Sequence, residues 1–156
     1  MNELQIKTPS ADDLVSLGAR LAPLPLFVAY GANAETLSRR WIEGQKKGEG
    51  LLVASGPEGL LGLCWFLKGG TFSTGAYLRT LAVVPQSHSR GVGAALLQAY
   101  EQACDEPAGG WFLLASDFNG GAHRFYARHG YAPVGRLPDF AKKGIVEHIY
   151  WKAPPP

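Results

Sequence analysis

The sequence predicts a three-layer α/β/α fold in which helices cover both faces of a mixed β-sheet. Two observations predict it. The apolar period changes near Gly50, because helical spacing before it gives way to the long apolar runs typical of strands. Strands after residue 75 then alternate with helical segments, so the sheet contains helical crossovers as well as hairpins. We expect one domain over residues 1–156, with residues 153–156 a frayed tail.

The first third of the chain predicts one short strand and two helices. Ser10 and Asp13 form a capping-box pattern at the start of the first helix, and two prolines end it. Asn33 is the expected N-cap of the second helix, whose inner face carries Leu37 and Trp41. The elements are a strand at Leu4–Lys7, a helix from Ser10 to about Leu21, a break at Pro23 and Pro25, and a helix from Asn33 to about Gly48.

The rest of the chain predicts a hairpin followed by alternating strands and helices. Gly56–Gly59 is the hairpin turn, and Gly130 ends the last helix. The run at Trp111–Ala115 is short and wholly apolar, so we expect this strand to be buried on both faces. The elements are strands at Gly50–Ser55, Leu60–Leu67 and Ala76–Val84, a helix at Gly91–Asp105, a strand at Trp111–Ala115, a helix at Asn119–His129, and strands at Tyr131–Gly135 and Glu147–Lys152.

Composition excludes several classes of protein. The chain is 46% hydrophobic and 18% charged, which is typical of a globular domain. Its net charge is +2 and no run of Lys or Arg exceeds two residues, which argues against a nucleic-acid binder. There is neither an apolar run of roughly 20 residues nor a signal-peptide pattern, so no membrane partner is expected. Cys64 and Cys104 stand alone in apolar segments, so we expect buried thiols and a cytoplasmic location.

A glycine loop after the third long strand is the strongest functional signal. The apolar run ends at Pro85, and Arg90-Gly91-Val92-Gly93 then leads into a helix. Glycines let backbone N–H groups approach a ligand, and the helix N-terminus favours an anion. The loop therefore predicts a phosphate-bearing cofactor. The alternative without a ligand is a tight turn.

The loop partly matches two nucleotide-binding motifs. A Walker loop needs Gly-Lys-Ser/Thr, but Ala94 and Ala95 follow the glycines, so that interpretation fails. A dinucleotide fingerprint needs a third small residue, but position 96 is Leu. Asp117 does lie at about the distance expected for a ribose-binding acid. A nucleotide-binding α/β domain therefore remains an alternative.

Two segments together resemble the GNAT acyltransferases. Leu-Ala-Val-Val-Pro at 81–85 and Arg-Gly-Val-Gly-Ala-Ala-Leu-Leu at 90–97 resemble that family's acetyl-CoA signature. Residues 119–131 resemble its next motif, Asn-x-x-Ala-x-x-Phe-Tyr-x-x-x-Gly-Phe/Tyr. The resemblance is strong over Ala76–Tyr131 and extends to the element order of the whole chain. It implies the GNAT-type acyl-CoA N-acyltransferase fold, with a mostly antiparallel sheet, and acetyl-CoA as cosubstrate.

The resemblance also implies roles for individual residues. The proposed catalytic acid is Tyr126, placed near the thioester sulfur, where a phenol can protonate the departing thiolate. Its alternative role is to anchor the helix, and Asn119 could be a simple N-cap. The implied cofactor-binding residues are Leu81, Ala82 and Val83 for the pantetheine arm, Ser89, Arg90, Gly91, Val92, Gly93 and Ala94 for the pyrophosphate, and Asn119 and Tyr126 near the thioester.

Two departures from the family pattern bear on the site. His88 stands where the family usually has Gln or Arg; we keep it as a cofactor-binding residue that could make the site pH-sensitive, the alternative being an exposed loop histidine. Many members carry a glutamate base on the strand before the loop, but residues 77–83 contain no carboxylate. Asp117 is the favoured catalytic base because strand ends in α/β sheets face the site. Glu147, His148 and a water chain are the alternatives.

The acceptor side is less well defined by sequence. Phe27, Tyr30 and Tyr77 are candidate substrate-binding residues, with Trp41 beside them. No metal is predicted, because no histidines have ligand spacing with a carboxylate or thiol. His123 is expected on a solvated helix face.

The predicted function is direct acetyl transfer in a ternary complex to a primary amine of a small molecule or peptide. The alternative is a catalytically weak or inactive acyl-CoA-binding or regulatory module. A homodimer is compatible with the sequence.

Overall fold

The computed structural model of the chain describes residues 3–88, 90–105 and 107–156. These residues form seven strands and five α-helices, with a short 3-10 helix at Pro85–Ser87. The strands are β1 (Gln5–Lys7), β2 (Gly50–Gly56), β3 (Gly59–Thr71), β4 (Gly75–Val83), β5 (Trp111–Ser116), β6 (Ala132–Pro138) and β7 (Val146–Lys152). The helices are α1 (Ala11–Leu21), α2 (Pro25–Ala29), α3 (Ala34–Lys46), α4 (Val92–Ala103) and α5 (Gly120–Arg128).

All seven strands belong to one sheet, in the order β1-β2-β3-β4-β5-β7-β6. Only the β4–β5 pair is parallel, and the other described pairs are antiparallel. The parallel pair follows from the crossover through α4, whereas hairpins join β2 to β3, β3 to β4 and β6 to β7. The predicted mixed, mostly antiparallel sheet is therefore confirmed.

Helices cover both faces of the sheet. Adjacent residues of β3 point to opposite faces: Trp65 packs under α3 beside Gly44, whereas the ring of Phe66 lies 5.5 Å from that of Tyr100 on α4. A Cβ on Gly18 of α1 would lie 2.9 Å from a backbone oxygen of α3, so α1 and α3 pack closely against each other. The three-layer arrangement predicted from the sequence is confirmed.

The helix caps predicted from the sequence are present, but Pro25 has a different role from the one expected. Ser10 and Asp13 form the predicted capping box of α1, and Asn33 caps α3 by accepting a hydrogen bond from the N–H of Thr36. Pro25, expected only to break a helix, instead begins α2. Its fixed φ and missing N–H suit the first position of a helix.

An extra residue in β4 opens a gap in the sheet. Leu78 is opposite Phe66 of β3 and Thr80 is opposite Trp65, so Arg79 has no partner and forms a β-bulge. β5 pairs with β4 only at Ala76–Leu78 and then continues against β7 alone. Beyond Leu78 the two parallel strands therefore diverge, and β4 has no strand on that side.

One prediction about β5 is wrong, because this strand is not buried on both faces. Phe112 and Leu114 are only half-buried, while Leu113 and Ala115 are buried. Since alternate residues of a strand share a face, the face that carries Phe112 and Leu114 is only partly covered. Both cysteines are buried, as predicted. Within the described residues, no helix combines the length and apolar character needed to cross a membrane.

Candidate active site

A cavity of about 380 Å³ lies at the gap between β4 and β5. Its walls come from both sides of the sheet: α2 and α3 on one side, α5 on the other, with β4, β5 and β7 between them. Such a volume is typical of a small-molecule site. Residues far apart in the chain meet there because the diverging strands open a passage through the sheet.

The backbone of β4 presents polar groups to the gap. The N–H of Val84 donates to the carbonyl of Leu61 on β3 at 2.9 Å. Since alternate residues of a strand point their N–H and C=O groups to opposite sides, Ala82 also faces β3. Leu81 and Val83 face the gap. The structure therefore brings two of the three predicted pantetheine-binding residues to the opening through their backbones, but not Ala82.

His88 makes a specific contact at the same edge. Its side chain is exposed, and its Nε2 lies 2.9 Å from the carbonyl oxygen of Val83. Because a carbonyl only accepts hydrogen bonds, Nε2 is the donor and carries a proton. The carbonyl of Val83 on β4 therefore already accepts a hydrogen bond from His88.

The first turn of α4 presents unused backbone donors. Gly91 is the N-cap with φ of 83°, a left-handed conformation that favours glycine. The first intrahelical bond there runs from the N–H of Ala95 to the carbonyl of Gly91. No side chain in the described part of the chain caps this end, so the first N–H groups are available to an anion. Ser89, also predicted to bind the cofactor, lies outside the described residues.

The other residues of the glycine loop have structural partners. Arg90 forms an ion pair with Glu58 in the β2–β3 turn, at 3.2 Å, and both side chains are more than half exposed. The charge of Arg90 is therefore partly offset. Gly93 lies against Phe125 of α5, where an added Cβ would be 3.4 Å from the ring. A methyl group at position 93 would therefore be in ordinary van der Waals contact with α5.

α5 contributes two residues to the cavity wall. Asn119 lines the cavity and also caps α5, since its Oδ1 accepts a hydrogen bond from the N–H of Ala122 at 3.3 Å. Tyr126 lines the cavity, is 7% exposed, and its hydroxyl has no hydrogen-bond partner among the described residues. Burial raises the pKa of Tyr126, so the phenol stays protonated at neutral pH.

The three predicted acceptor-side residues, Phe27, Tyr30 and Tyr77, all line the cavity, together with Trp41. Tyr77 is half-buried on β4. The ring of Phe27 packs against that of Trp41, with centroids 6.4 Å apart. Aromatic side chains from three elements thus form one wall, although the sequence separates them widely.

Glu147 is the acidic residue of this wall and is 5% exposed. It accepts hydrogen bonds from the hydroxyl of Tyr30 and from Ser116 Oγ, the latter at 2.9 Å. Burial, and then the hydrogen bond to Glu147, raise the pKa of Tyr30 to about 12, so Tyr30 remains a donor. The carboxylate is therefore held in place by two neutral donors.

Asp117 and His148 lie elsewhere. Asp117 is exposed in the turn after β5 and does not line the cavity, and its N–H donates to the carbonyl of Val146 at 2.9 Å. His148 follows Glu147 on β7, so its side chain points to the opposite face. Of the candidate bases that are side chains, only Glu147 is on the cavity wall. The register that sets Glu147 opposite Ser116 could not be deduced from the sequence.

Other residues differ from expectation. His123 is not on a solvated face: it is half-buried, with Nε2 2.9 Å from the carbonyl oxygen of Ser116 and Nδ1 2.6 Å from the hydroxyl of Tyr150. Arg40 and Arg79 line the cavity and were missed. The one sequence feature that could have indicated Arg40 is its position next to Trp41, which was named beside the candidate substrate-binding residues. The bulge that places Arg79 has no sequence signal that we recognise.

Comparisons with known proteins agree with this architecture. The sequence model of the Acetyltransferase (GNAT) family matches residues 20–131, which is well over half of the chain. None of the curated proteins compared by sequence matches the chain.

Solved structures resemble the chain over nearly its whole length. Ard1 from Thermoplasma volcanium is 21% identical with a TM-score of 0.77, covering 98% of this chain and 99% of its own. A ribosomal-protein-alanine N-acetyltransferase from Brucella melitensis is 16% identical with a TM-score of 0.73, covering 96% and 99%. The yncA protein from Salmonella typhimurium, solved with its cofactor acetyl-CoA, is 13% identical with a TM-score of 0.70, covering 94% and 91%. At these identities the likeness shows the fold.

Proposed function

The chain belongs to the GNAT family of acetyltransferases, enzymes that take their acetyl group from acetyl-CoA, and we propose that it acetylates the primary amine of a small molecule. Transfer is direct, within a ternary complex. The observation that carries the proposal is that Glu147 and Tyr126, a carboxylate and a neutral phenol, line one cavity. A base and an acid are the two proton carriers that this reaction needs.

Acetyl-CoA would bind along β4 and the first turn of α4. The N–H groups that begin α4 suit the pyrophosphate, because they are unused and the helix dipole favours an anion. The backbone groups of Leu81 would bind the pantetheine arm in the gap. The carbonyl of Val83 already accepts a hydrogen bond from His88, so only the N–H of Val83 would face the thioester. Asn119 and Tyr126 lie on the wall of the same cavity and would be close to the thioester.

The acceptor would enter from the α2–α3 side. Glu147 takes a proton from the ammonium group, and the free amine then attacks the thioester carbonyl. The N–H of Val83, which faces the gap, would stabilise the negative charge on the carbonyl oxygen. The carbon–sulfur bond breaks and Tyr126 donates its hydrogen to the departing sulfur. The nitrogen loses a proton as the amide forms, and this proton restores the phenol of Tyr126 through water. No acyl-enzyme is required.

Glu147 replaces Asp117 as the proposed base for a geometric reason. A base must reach the proton that it removes, directly or through one water. Asp117 is exposed outside the cavity, whereas the carboxylate of Glu147 is on its wall. Tyr30 and Ser116 fix its orientation.

Two measurements test the proposal. Acetyl-CoA should raise the Tm more than NAD or ATP at equal concentration, since a ligand that binds the native state stabilises it. A panel of amines with acetyl-CoA should then yield free CoA thiol. A larger shift with NAD would contradict the cofactor assignment. Stabilisation by acetyl-CoA without thiol release from any amine would instead favour a catalytically inactive acyl-CoA-binding module.

A further inference from the structure

We infer that the acceptor is a small amine that also carries a carboxylate, and that Arg40 and Arg79 bind this carboxylate. The inference rests on the proposed function, because it names the substrate class of the same site. It is carried by the charges on the cavity wall. Arg40 and Arg79 are its basic side chains and Glu147 is its acidic one.

Arg79 is held in place without losing its charge. It is the bulged residue of β4, and its guanidinium carbon lies 4.3 Å from the centroid of the Trp65 ring. Trp65 is itself fixed, being 6% exposed, with its indole N–H donating to Glu49 at 2.9 Å. Stacking on an aromatic face orients a guanidinium while its N–H groups remain free to bind an anion.

Arg40 reaches the cavity from α3 and differs from its neighbour in the chain. Arg39 does not line the cavity, and its guanidinium lies 4.0 Å from Glu35 one turn earlier on the helix. Within residues 3–88, 90–105 and 107–156, neither Arg40 nor Arg79 has a carboxylate within 4.0 Å. The cavity therefore contains two cations that lack an anionic partner in this part of the chain.

The acidic residue of the cavity forms no ion pair with either arginine within the described residues. Glu147 instead accepts hydrogen bonds from Tyr30 and Ser116, which carry no charge. An acceptor with a carboxylate would complement the arginines, which bind carboxylates through paired, charge-assisted hydrogen bonds. Its amine would then lie towards Glu147. A polycationic acceptor would instead face two like charges.

The test compares acceptors of equal shape and different charge. Linear ω-amino carboxylates of increasing length are assayed against their primary amides by CoA thiol release. We expect the carboxylate of at least one length to give a kcat/KM roughly tenfold or more above that of its amide, the size expected for a charge-assisted pair. Equal values at every length would overturn the inference.

Substitution of each arginine tests whether it binds the carboxylate of the acceptor. Arg40→Met and Arg79→Met should each raise the KM for the carboxylate acceptor about tenfold and leave the KM for acetyl-CoA and for the amide unchanged. Arg39→Met is the matched control and should change nothing. A raised KM for acetyl-CoA, or an equal effect of Arg39→Met, would overturn the inference.

A binding measurement separates this inference from the proposed function. In the presence of CoA, the ω-amino carboxylates should raise the Tm more than their amides, and Arg79→Met should reduce the difference. If this holds but no amine releases CoA, the proposed function fails while the anion site stands. If CoA is released equally from amides and carboxylates, the function stands and the anion site fails.

Discussion

The two sides of the cavity are built in different ways. On the α4–α5 side, the proposed cofactor contacts are mostly backbone groups from one continuous stretch, residues 81–94. On the α2–α3 side, the proposed acceptor contacts are side chains from α2, α3, β4 and β7, including Phe27, Arg40 and Glu147. The first side depends on chain conformation and the second on which side chains meet.

This difference determines how each side responds to mutation. A backbone site tolerates changes of side chain but not of conformation, because its donors are N–H groups shared by all residues except proline. A side-chain site keeps its shape only while distant elements stay in register. Single substitutions should therefore affect catalysis more on the acceptor side than on the cofactor side.

The largest expected effect is that of Glu147→Gln. It should lower kcat/KM at neutral pH by on the order of 10²- to 10³-fold, because the amine loses its base. High pH should restore part of the rate as the amine deprotonates by itself. Rates across a pH series, with Tm measured alongside, check this. Asp117→Asn is the matched control and should retain the rate; a loss with Asp117→Asn and none with Glu147→Gln would reverse the assignment.

The next effect is that of Tyr126→Phe. Turnover should fall by about 10²-fold if proton donation to sulfur limits the rate, while the KM for acetyl-CoA stays constant because the ring remains. Tyr131→Phe is the control: its hydroxyl donates to Glu101 at 2.9 Å, away from the cavity wall. Steady-state kinetics of both variants decide the matter. An unchanged rate in Tyr126→Phe would leave the residue with a packing role only.

A smaller effect, on binding rather than turnover, is expected for Gly91→Ala. Among the described residues no atom lies within 4 Å of a Cβ added there, but φ of 83° is strained for alanine by about 1 kcal/mol. The methyl group would also obstruct the pyrophosphate. Gly48→Ala is the matched control, with φ of 85° and equally open space at the end of α3. Both should lose similar stability, and only Gly91→Ala should weaken acetyl-CoA binding in titration calorimetry.

The smallest effect concerns alkaline pH. The pKa of Tyr30 is raised from 10 to about 12, so its protonated form adds stability that is fully present below pH 10 and is lost as pH rises through 12. Tyr30→Phe should therefore show a shallower fall of Tm between pH 10 and 12 than the unmodified chain. Parallel Tm curves would show that Tyr30 titrates as an ordinary phenol.

The sequence by itself determined the fold class, the order of the elements other than α2, and the glycine loop that we propose binds the cofactor. These depend on local patterns: the apolar period, the caps at Ser10 and Asn33, and a glycine motif whose proposed contacts to the cofactor are made by its own backbone. Each of these patterns can be recognised within a short stretch of consecutive residues. The family resemblance over residues 76–131 added Tyr126, which the structure places on the cavity wall.

Beyond Phe27, Tyr30 and Tyr77, only the tertiary structure decided the proposed acceptor side. The β-bulge at Arg79 and the divergence of β4 from β5 depend on pairing between strands that are distant in the chain. The choice of Glu147 over Asp117 depends on the register between β5 and β7, since a shift of one residue would turn Glu147 to the other face. Local patterns contain no information on such registers, because they are set by packing of the whole sheet.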